Sequence, residues 1–272
     1  MKQGDYTELA NDYVNRVGYS LPVLNAIIRY IGLDHQRSSS VADVGAGTGK
    51  LTENLISLNL TGYAIEPNDA MRAQGIRLFG DNKQFEWRQG TAECTGLPDA
   101  SVDHVFMGSS FHWTNPPESL REFHRILKPN GWFTALWNPR DLERNPLEPR
   151  IEKIIQGIVP DLNRVSSGSK LYTQHIENTL TGSGLFNNSI FMEAPHEETM
   201  SPDRYIGIWR SVNDVRVQAG EERFNKIVNA IKEEIKGLDV IRTYYRTRAW
   251  TVQKRGDTRG IGGEDENRMG LY

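Results

Sequence analysis

The sequence predicts an α/β fold built on a parallel sheet, and three observations carry that prediction. Val41-Ala-Asp-Val-Gly-Ala-Gly-Thr-Gly-Lys50 runs an apolar strand into a glycine turn. Ala64-Ile-Glu-Pro-Asn68 follows about 20 residues later and ends a second strand on an acid, the spacing of a nucleoside-binding βαβ unit. Two further apolar runs, 102–107 and 132–137, read as buried strands separated by a helical pattern.

The elements follow in order. Residues 5–16 form a polar segment that carries aromatics, and 21–33 an amphipathic helix expected to pack beside the first strand. After Gly49, Leu51, Leu55 and Leu58 share one helical face. Asn68 has the character of a helix N-cap. The strand at 102–107 runs into Gly108-Ser-Ser-Phe-His-Trp113, and Pro116-Pro117 opens a helix with apolar residues at 120, 123, 126 and 127. Lys128-Pro-Asn-Gly131 is read as a turn before the strand at 132–137. Beyond residue 141 the pattern predicts a helix at 151–158, a Ser/Gly loop at 165–169, and a strand at 188–200. Ser201-Pro202 then opens a helix bearing Tyr205, Ile208 and Trp209. An amphipathic helix at 221–237 and an edge strand at 240–253 close the set. Residues 254–272, rich in Gly and charge, read as a mobile tail.

Spacing narrows the ligand of the glycine turn. A phosphate-cradling NTPase loop would need a glycine at Val44 and a hydroxyl at Leu51. A dinucleotide fingerprint would need its third glycine at Lys50, one residue beyond Gly49. Asp43-x-Gly45-x-Gly47-x-Gly49 instead resembles motif I of the class I S-adenosylmethionine (SAM) methyltransferases. The ligand there carries no phosphate. Its cationic end suits a carboxylate at the strand end and a backbone bare enough for close approach.

The resemblance extends over roughly residues 10–140. Glu66 would present two acceptor oxygens to a ribose diol, and Pro67 and Met71 would wall one face of an adenine. Gly90-Thr-Ala-Glu-Cys-Thr-Gly-Leu-Pro-Asp-Ala-Ser-Val-Asp103 resembles the adenine-recognition loop entering strand 4, except that Thr91 stands where many relatives have aspartate. That shifts the expected adenine contacts to the Ala92 N–H and to Glu93 or Cys94. Ser109, after strand 4, is expected at the cofactor. The opening segment folds over cofactor in the resembled family, which nominates Tyr13, Arg16 and Tyr19 as lid residues. Phe111-His-Trp113 and Trp137-Asn-Pro-Arg-Asp141 resemble the methyltransferase-type-11 subgroup, which includes trans-aconitate methyltransferase-like enzymes acting on small molecules. The family topology implies a seven-stranded Rossmann-like sheet in order 3-2-1-4-5-7-6, strand 7 antiparallel, with a helical cap. One domain is expected over 1–253: a SAM-binding core at about 20–140, cap elements at about 141–237, and a last strand at about 240–253.

Chemistry at the acceptor rests on fewer residues. Trp113, Trp137, Asn138, Tyr205 and Trp209 are the candidate substrate pocket, because flat aromatics shape an apolar cavity and can face a sulfonium. His112 is the candidate acid–base residue, since an imidazole with pKa near ~6.5 suits deprotonation of a phenol or ammonium. A carboxylate acceptor would need no base and would call on a cation such as Arg140 or Arg210.

Composition removes other classes. A net charge of −3 and pI near 6.1 argue against a nucleic-acid footprint. The single cysteine, Cys94, excludes a disulfide framework, and no Cys/His spacing suggests a metal site. A reducing cytoplasm is expected, with no signal peptide and no membrane span. The expected activity is methyl transfer from SAM to a small organic acceptor, releasing S-adenosylhomocysteine (SAH). The alternatives are a non-catalytic SAM-binding partner protein and a nicotinamide oxidoreductase.

Overall fold

A computed structural model describes residues 5–33, 39–164 and 173–256. The Ser/Gly loop at 165–169, His35 and, from residue 257, the tail lie outside the described residues.

Seven strands form one sheet in the order β3-β2-β1-β4-β5-β7-β6. They are β1 (Ser40–Val44), β2 (Thr61–Ile65), β3 (Phe85–Arg88), β4 (Val102–Gly108), β5 (Leu127–Trp137), β6 (Phe186–Met200) and β7 (Ile241–Lys254). The first five pair in parallel, and β7 runs antiparallel to both β5 and β6. The expected topology is therefore the observed one. Strands β1 and β4 are buried almost throughout because both faces are covered by helices.

Alternate residues of each strand feed two cores. On one face Ala42, Val44, Val105 and Phe133 pack with Leu120, Phe123 and Ile126 of α5 (Pro116–Ile126) and with Leu180 of α7 (Ile176–Thr181). On the other, Val41, Ala64, Phe106 and Ala249 pack with Leu24 and Ile27 of α2 (Leu21–Tyr30) and with Leu51 and Leu55 of α3 (Lys50–Ser57). A third core belongs to the helices after β5: α6 (Glu148–Ile158), α8 (Pro202–Arg210), α9 (Asn213–Ala219) and α10 (Glu221–Glu234). Two more helices complete the elements used below: the short α1 (Ala10–Tyr13), and α4 (Asp69–Phe79), which follows β2.

Three boundaries differ from the sequence reading. Helix α2 stops at Tyr30 because Gly32 turns with φ +67°, and besides sharing a core with Val41 it crosses β6 and β7. The segment 128–131 lies inside β5, where the register against β4 jumps between Val102 and His104 and Asn130 takes φ +63°. The last strand is not an edge: β7 is interior, with Thr247, Ala249, Thr251 and Val252 buried, and β6 carries the edge. Pro195 within β6 marks that edge, since proline gives a neighbouring strand no N–H. Among the described residues no helix is long and apolar enough to cross a membrane.

Candidate functional site

A cavity of about 410 Å³ opens at the carboxyl ends of β1, β2 and β4, where the direction of chain winding reverses. The glycine turn forms its floor. Gly45 and Ala46 donate to the Ile65 carbonyl (2.8 and 3.0 Å), which bends the chain out of β1. Gly45 has φ +71°, and a Cβ there would stand 2.8 Å from the Ser110 side chain. Gly47 has φ +59°. Only glycine keeps this backbone both left-handed and bare.

Two carboxylates face the floor. Asp43 is fully buried; its Oδ2 accepts from the Thr52 hydroxyl at 2.6 Å, and its Oδ1 has no donor among the described residues. Burial pushes its pKa up to about 7, with the Thr52 hydrogen bond opposing and the Glu66 charge adding to the rise. Glu66 accepts from the Gly47 N–H through Oε2 (2.8 Å) and from the Asn68 N–H through Oε1 (2.9 Å), so it holds the turns after β1 and β2 together. Burial raises its pKa too, against those two backbone donors. Asn68 caps α4 by accepting from the Met71 N–H at 3.0 Å, which brings Pro67 and Met71 to the cavity wall.

The loop after β3 supplies Thr91, Ala92 and Glu93. Thr91 closes a tight turn, its N–H on the Cys94 carbonyl (3.0 Å) and its hydroxyl accepting from the Cys94 N–H (3.1 Å). After β4, Ser109 takes φ +53° and accepts from the Tyr19 hydroxyl at 3.1 Å. The roof is the opening segment. Tyr6 meets Tyr13 and Trp113 edge to face at 5.3 and 6.4 Å, and the Arg16 guanidinium lies 5.2 Å from the Tyr13 ring centre. Arg16 anchors the segment to the end of α8 through the Ser211 hydroxyl (2.6 Å) and carbonyl (2.9 Å).

Asp43, Gly45, Gly47, Glu66, Pro67, Met71, Ala92, Glu93, Ser109, Tyr13 and Arg16 thus all line one cavity, together with Trp113 and Asn138. Trp137, Tyr205, Trp209, His112, Cys94, Arg140 and Arg210 do not. Trp137, Tyr205 and Trp209 are fully buried, Trp137 in the sheet core and the other two in the cap core, where the Arg140 guanidinium stacks 4.2 Å from the Trp209 ring centre. Arg140 is itself paired with buried Glu148 at 3.2 Å and does not reach the cavity wall. His112 lies behind the wall, its Nδ1 accepting from the Trp137 indole N–H at 3.2 Å, and burial pushes its pKa down to about 4. A neutral imidazole held in this way orders the loop. His112→Asn is accordingly expected to lower the unfolding midpoint, by the equivalent of about 1–2 kcal/mol, while leaving the pH dependence of turnover unchanged. Loss of an activity inflection near neutral pH in that variant would contradict this.

Tyr6, Lys50, Ser110 and Tyr245 line the cavity without having been singled out. Tyr6 sits in a segment without periodicity. Tyr245 sits in a strand whose alternation does not say which face meets a ligand.

The residues fit SAM. The unsatisfied Asp43 oxygen suits a cationic group, the glycine floor admits close approach, and Glu66 offers lone pairs to a diol.

Comparison with known proteins agrees. Residues 42–135 match the family model described as a methyltransferase domain. An uncharacterized methyltransferase of Schizosaccharomyces pombe is 29% identical over 72% of this chain and 74% of its own length. A ubiquinone/menaquinone biosynthesis C-methyltransferase of Rubrivivax gelatinosus is 30% identical over 37% of this chain and 40% of its own. Among solved structures, a protein assigned as a type II methyltransferase of Anaeromyxobacter dehalogenans aligns with TM-score 0.56 and 20% identity, covering 88% of this chain and 96% of that one. A Haemonchus contortus phosphoethanolamine N-methyltransferase, solved with SAH, aligns with TM-score 0.52 and 14% identity over 94% of this chain and 59% of that one. The strand order, the glycine turn with two carboxylates at one cavity, and these likenesses together make the chain an S-adenosylmethionine-dependent methyltransferase of class I fold.

Proposed function

We propose that the methyl acceptor is a small organic metabolite. The observation that carries this reading is the roof. Tyr6, Tyr13, Arg16 and Tyr19 close over the ends of the sheet strands, so the acceptor must fit beneath side chains rather than present itself from a polymer surface. The Rubrivivax relative acts in ubiquinone/menaquinone biosynthesis, which is consistent with a small acceptor. The Phe-His-Trp and Trp-Asn-Pro-Arg motifs keep the likeness to trans-aconitate methyltransferase-like enzymes within this proposal. On this reading residues 1–253 work as one catalytic unit in a reducing cytoplasm, with the elements after 141 as its cap.

SAM supplies a methyl group on a cationic sulfur; the acceptor's lone pair takes the methyl and the sulfur leaves as a neutral thioether. Every other contribution belongs to the chain. Asp43 Oδ1 would hold the cofactor's cationic end, Glu66 would accept from the ribose hydroxyls, and the Ala92 N–H, Pro67 and Met71 would hold the adenine. Arg16 offers its guanidinium to a carboxylate. Trp113, Asn138 and Tyr245 border the remaining volume, where the acceptor lies. Asn138 is held rigidly: its Nδ2 donates to the Gly18 carbonyl (2.8 Å), and its Oδ1 accepts from Thr247 (2.9 Å) and His196 (2.9 Å). With His112 outside the cavity, catalysis rests on in-line positioning at about 3–3.5 Å and exclusion of water.

The test is transfer of label from methyl-tritiated SAM into cell extract separated by size. Label in a small-molecule product chromatographically distinct from SAM, appearing only when the protein is added, supports the proposal. Label confined to protein or nucleic acid overturns it.

A further inference from the structure

Glu93 joins two loops that both line the cavity. Thr91, Ala92 and Glu93 belong to the loop after β3; Gly108, Ser109, Ser110, Trp113 and Thr114 belong to the loop after β4. Glu93 Oε1 crosses between them. It accepts from the Asn115 N–H at 2.8 Å and from the Ser119 hydroxyl at 3.2 Å, a hydroxyl that also bonds the Asn115 carbonyl at 2.8 Å.

The local chemistry explains why this contact forms. Asn115 precedes the first turn of α5, and its own side chain makes no capping bond. The orphan N–H groups and positive end of a helix favour an outside carboxylate, and Glu93 provides it. Ser119 is fully buried, so its hydroxyl reaches Glu93 from the protein side, while the Asn115 N–H contact lies at the surface. Farther along the same loop, Glu122 of α5 takes the Thr95 N–H (2.8 Å) and hydroxyl (2.6 Å), and Arg125 donates to the Leu97 carbonyl (2.9 Å). The body of the loop is thereby fastened to the body of α5. Glu93 alone among these ties reaches the residue that directly follows Trp113-Thr114 and also lines the cavity.

We propose that Glu93 is a positioning residue that couples the nucleobase loop to the acceptor loop, so that filling the first orders Trp113 in the second. Trp113 is 45% exposed and has room to respond. The proposal rests on the reading of the cavity given under Proposed function. It assigns the carboxylate to the helix end rather than to the adenine; the Ala92 N–H, which has no protein acceptor among the described residues, remains for the base. Coupling of this kind is reciprocal: ordering the acceptor loop strengthens nucleoside binding by the same factor.

The test uses the full chain labelled with 5-fluorotryptophan and titrated with SAH, read by 19F NMR and by calorimetry. The chain has six tryptophans, and Trp113→Phe identifies the resonance. In the unsubstituted protein SAH is expected to shift the Trp113 signal. In Glu93→Ala that response is expected to be lost and the SAH affinity to fall about tenfold. Glu93→Gln, which keeps an acceptor oxygen, should recover most of both. Ser119→Ala, which removes one of the two bonds, should give an intermediate loss and serves if Glu93→Ala does not fold. An unchanged Trp113 response or an unchanged affinity in the folded variants overturns the proposal alone. Absence of SAH binding by the unsubstituted protein overturns the cofactor-site reading and this proposal with it.

Discussion

Glu66→Ala is expected to weaken SAH binding about a hundredfold, equivalent to about 2.7 kcal/mol, measured by titration calorimetry. Two losses combine in that figure. On the proposed site the ribose loses both acceptor oxygens, and hydrogen bonds to a charged group are worth about 1.5–3 kcal/mol each. The Gly47 and Asn68 N–H groups also lose their partner, which frees the turns after β1 and β2 from each other. Glu66→Gln keeps one carbonyl oxygen and should fall between the two. An affinity within threefold of the unsubstituted protein for Glu66→Ala would show that the ribose is held elsewhere.

Asp43→Asn should produce opposite effects on stability and binding. Asp43 is buried with one oxygen unpaired, and its pKa is raised from the ordinary 3.8 to about 7. A carboxyl raised in the folded state contributes stability that is present below pH ~4 and lost as the pH rises through about 7. Removing the charge should therefore raise the midpoint of the ligand-free protein at pH 8, with an upper bound of about 4 kcal/mol, and change little at pH 4. Binding should go the other way. The ammonium group, which SAH shares with SAM, favours ionised Asp43, so the unsubstituted protein is expected to bind SAH more tightly as the pH rises from 6 to 8. The variant should bind about a hundredfold more weakly, with a flat profile. Equal affinities, or a flat profile in the unsubstituted protein, would contradict the role given to Asp43. Loss of binding together with higher stability is the usual signature of a site that holds an unfavourable charge for its ligand.

The parts of the molecule legible in the sequence are those fixed by local chemistry. A glycine turn after an apolar strand, an acid ending the next strand, and Asn68 and Ser201 as helix caps each depend on backbone needs that few residues meet. The sheet order was accessible through the likeness of those motifs to a family. Aromatic side chains were not assignable in the same way. Trp113 lies at the cavity mouth while Trp137, Tyr205 and Trp209 are core, because burial of a large ring satisfies a core and a pocket equally well. His112 illustrates the same limit: its place after β4 is near the cavity, but a 3₁₀ turn at Phe111–Trp113 directs it to the Trp137 indole. Glu93 showed no signal of its capping role, since its partner Asn115 is 22 residues away in sequence.

The measurement that tests the central claim most directly is the shift in thermal unfolding midpoint with SAH, SAM, NADH or ATP, each alone at equal concentration. A ligand at 100 times its dissociation constant stabilises the native state by about 2.7 kcal/mol, a shift easily resolved in a melt. A cavity floored by Gly45 and Gly47 and flanked by Asp43 and Glu66 predicts a rise with SAH and SAM and none with NADH. A rise with NADH and none with SAH or SAM would contradict it.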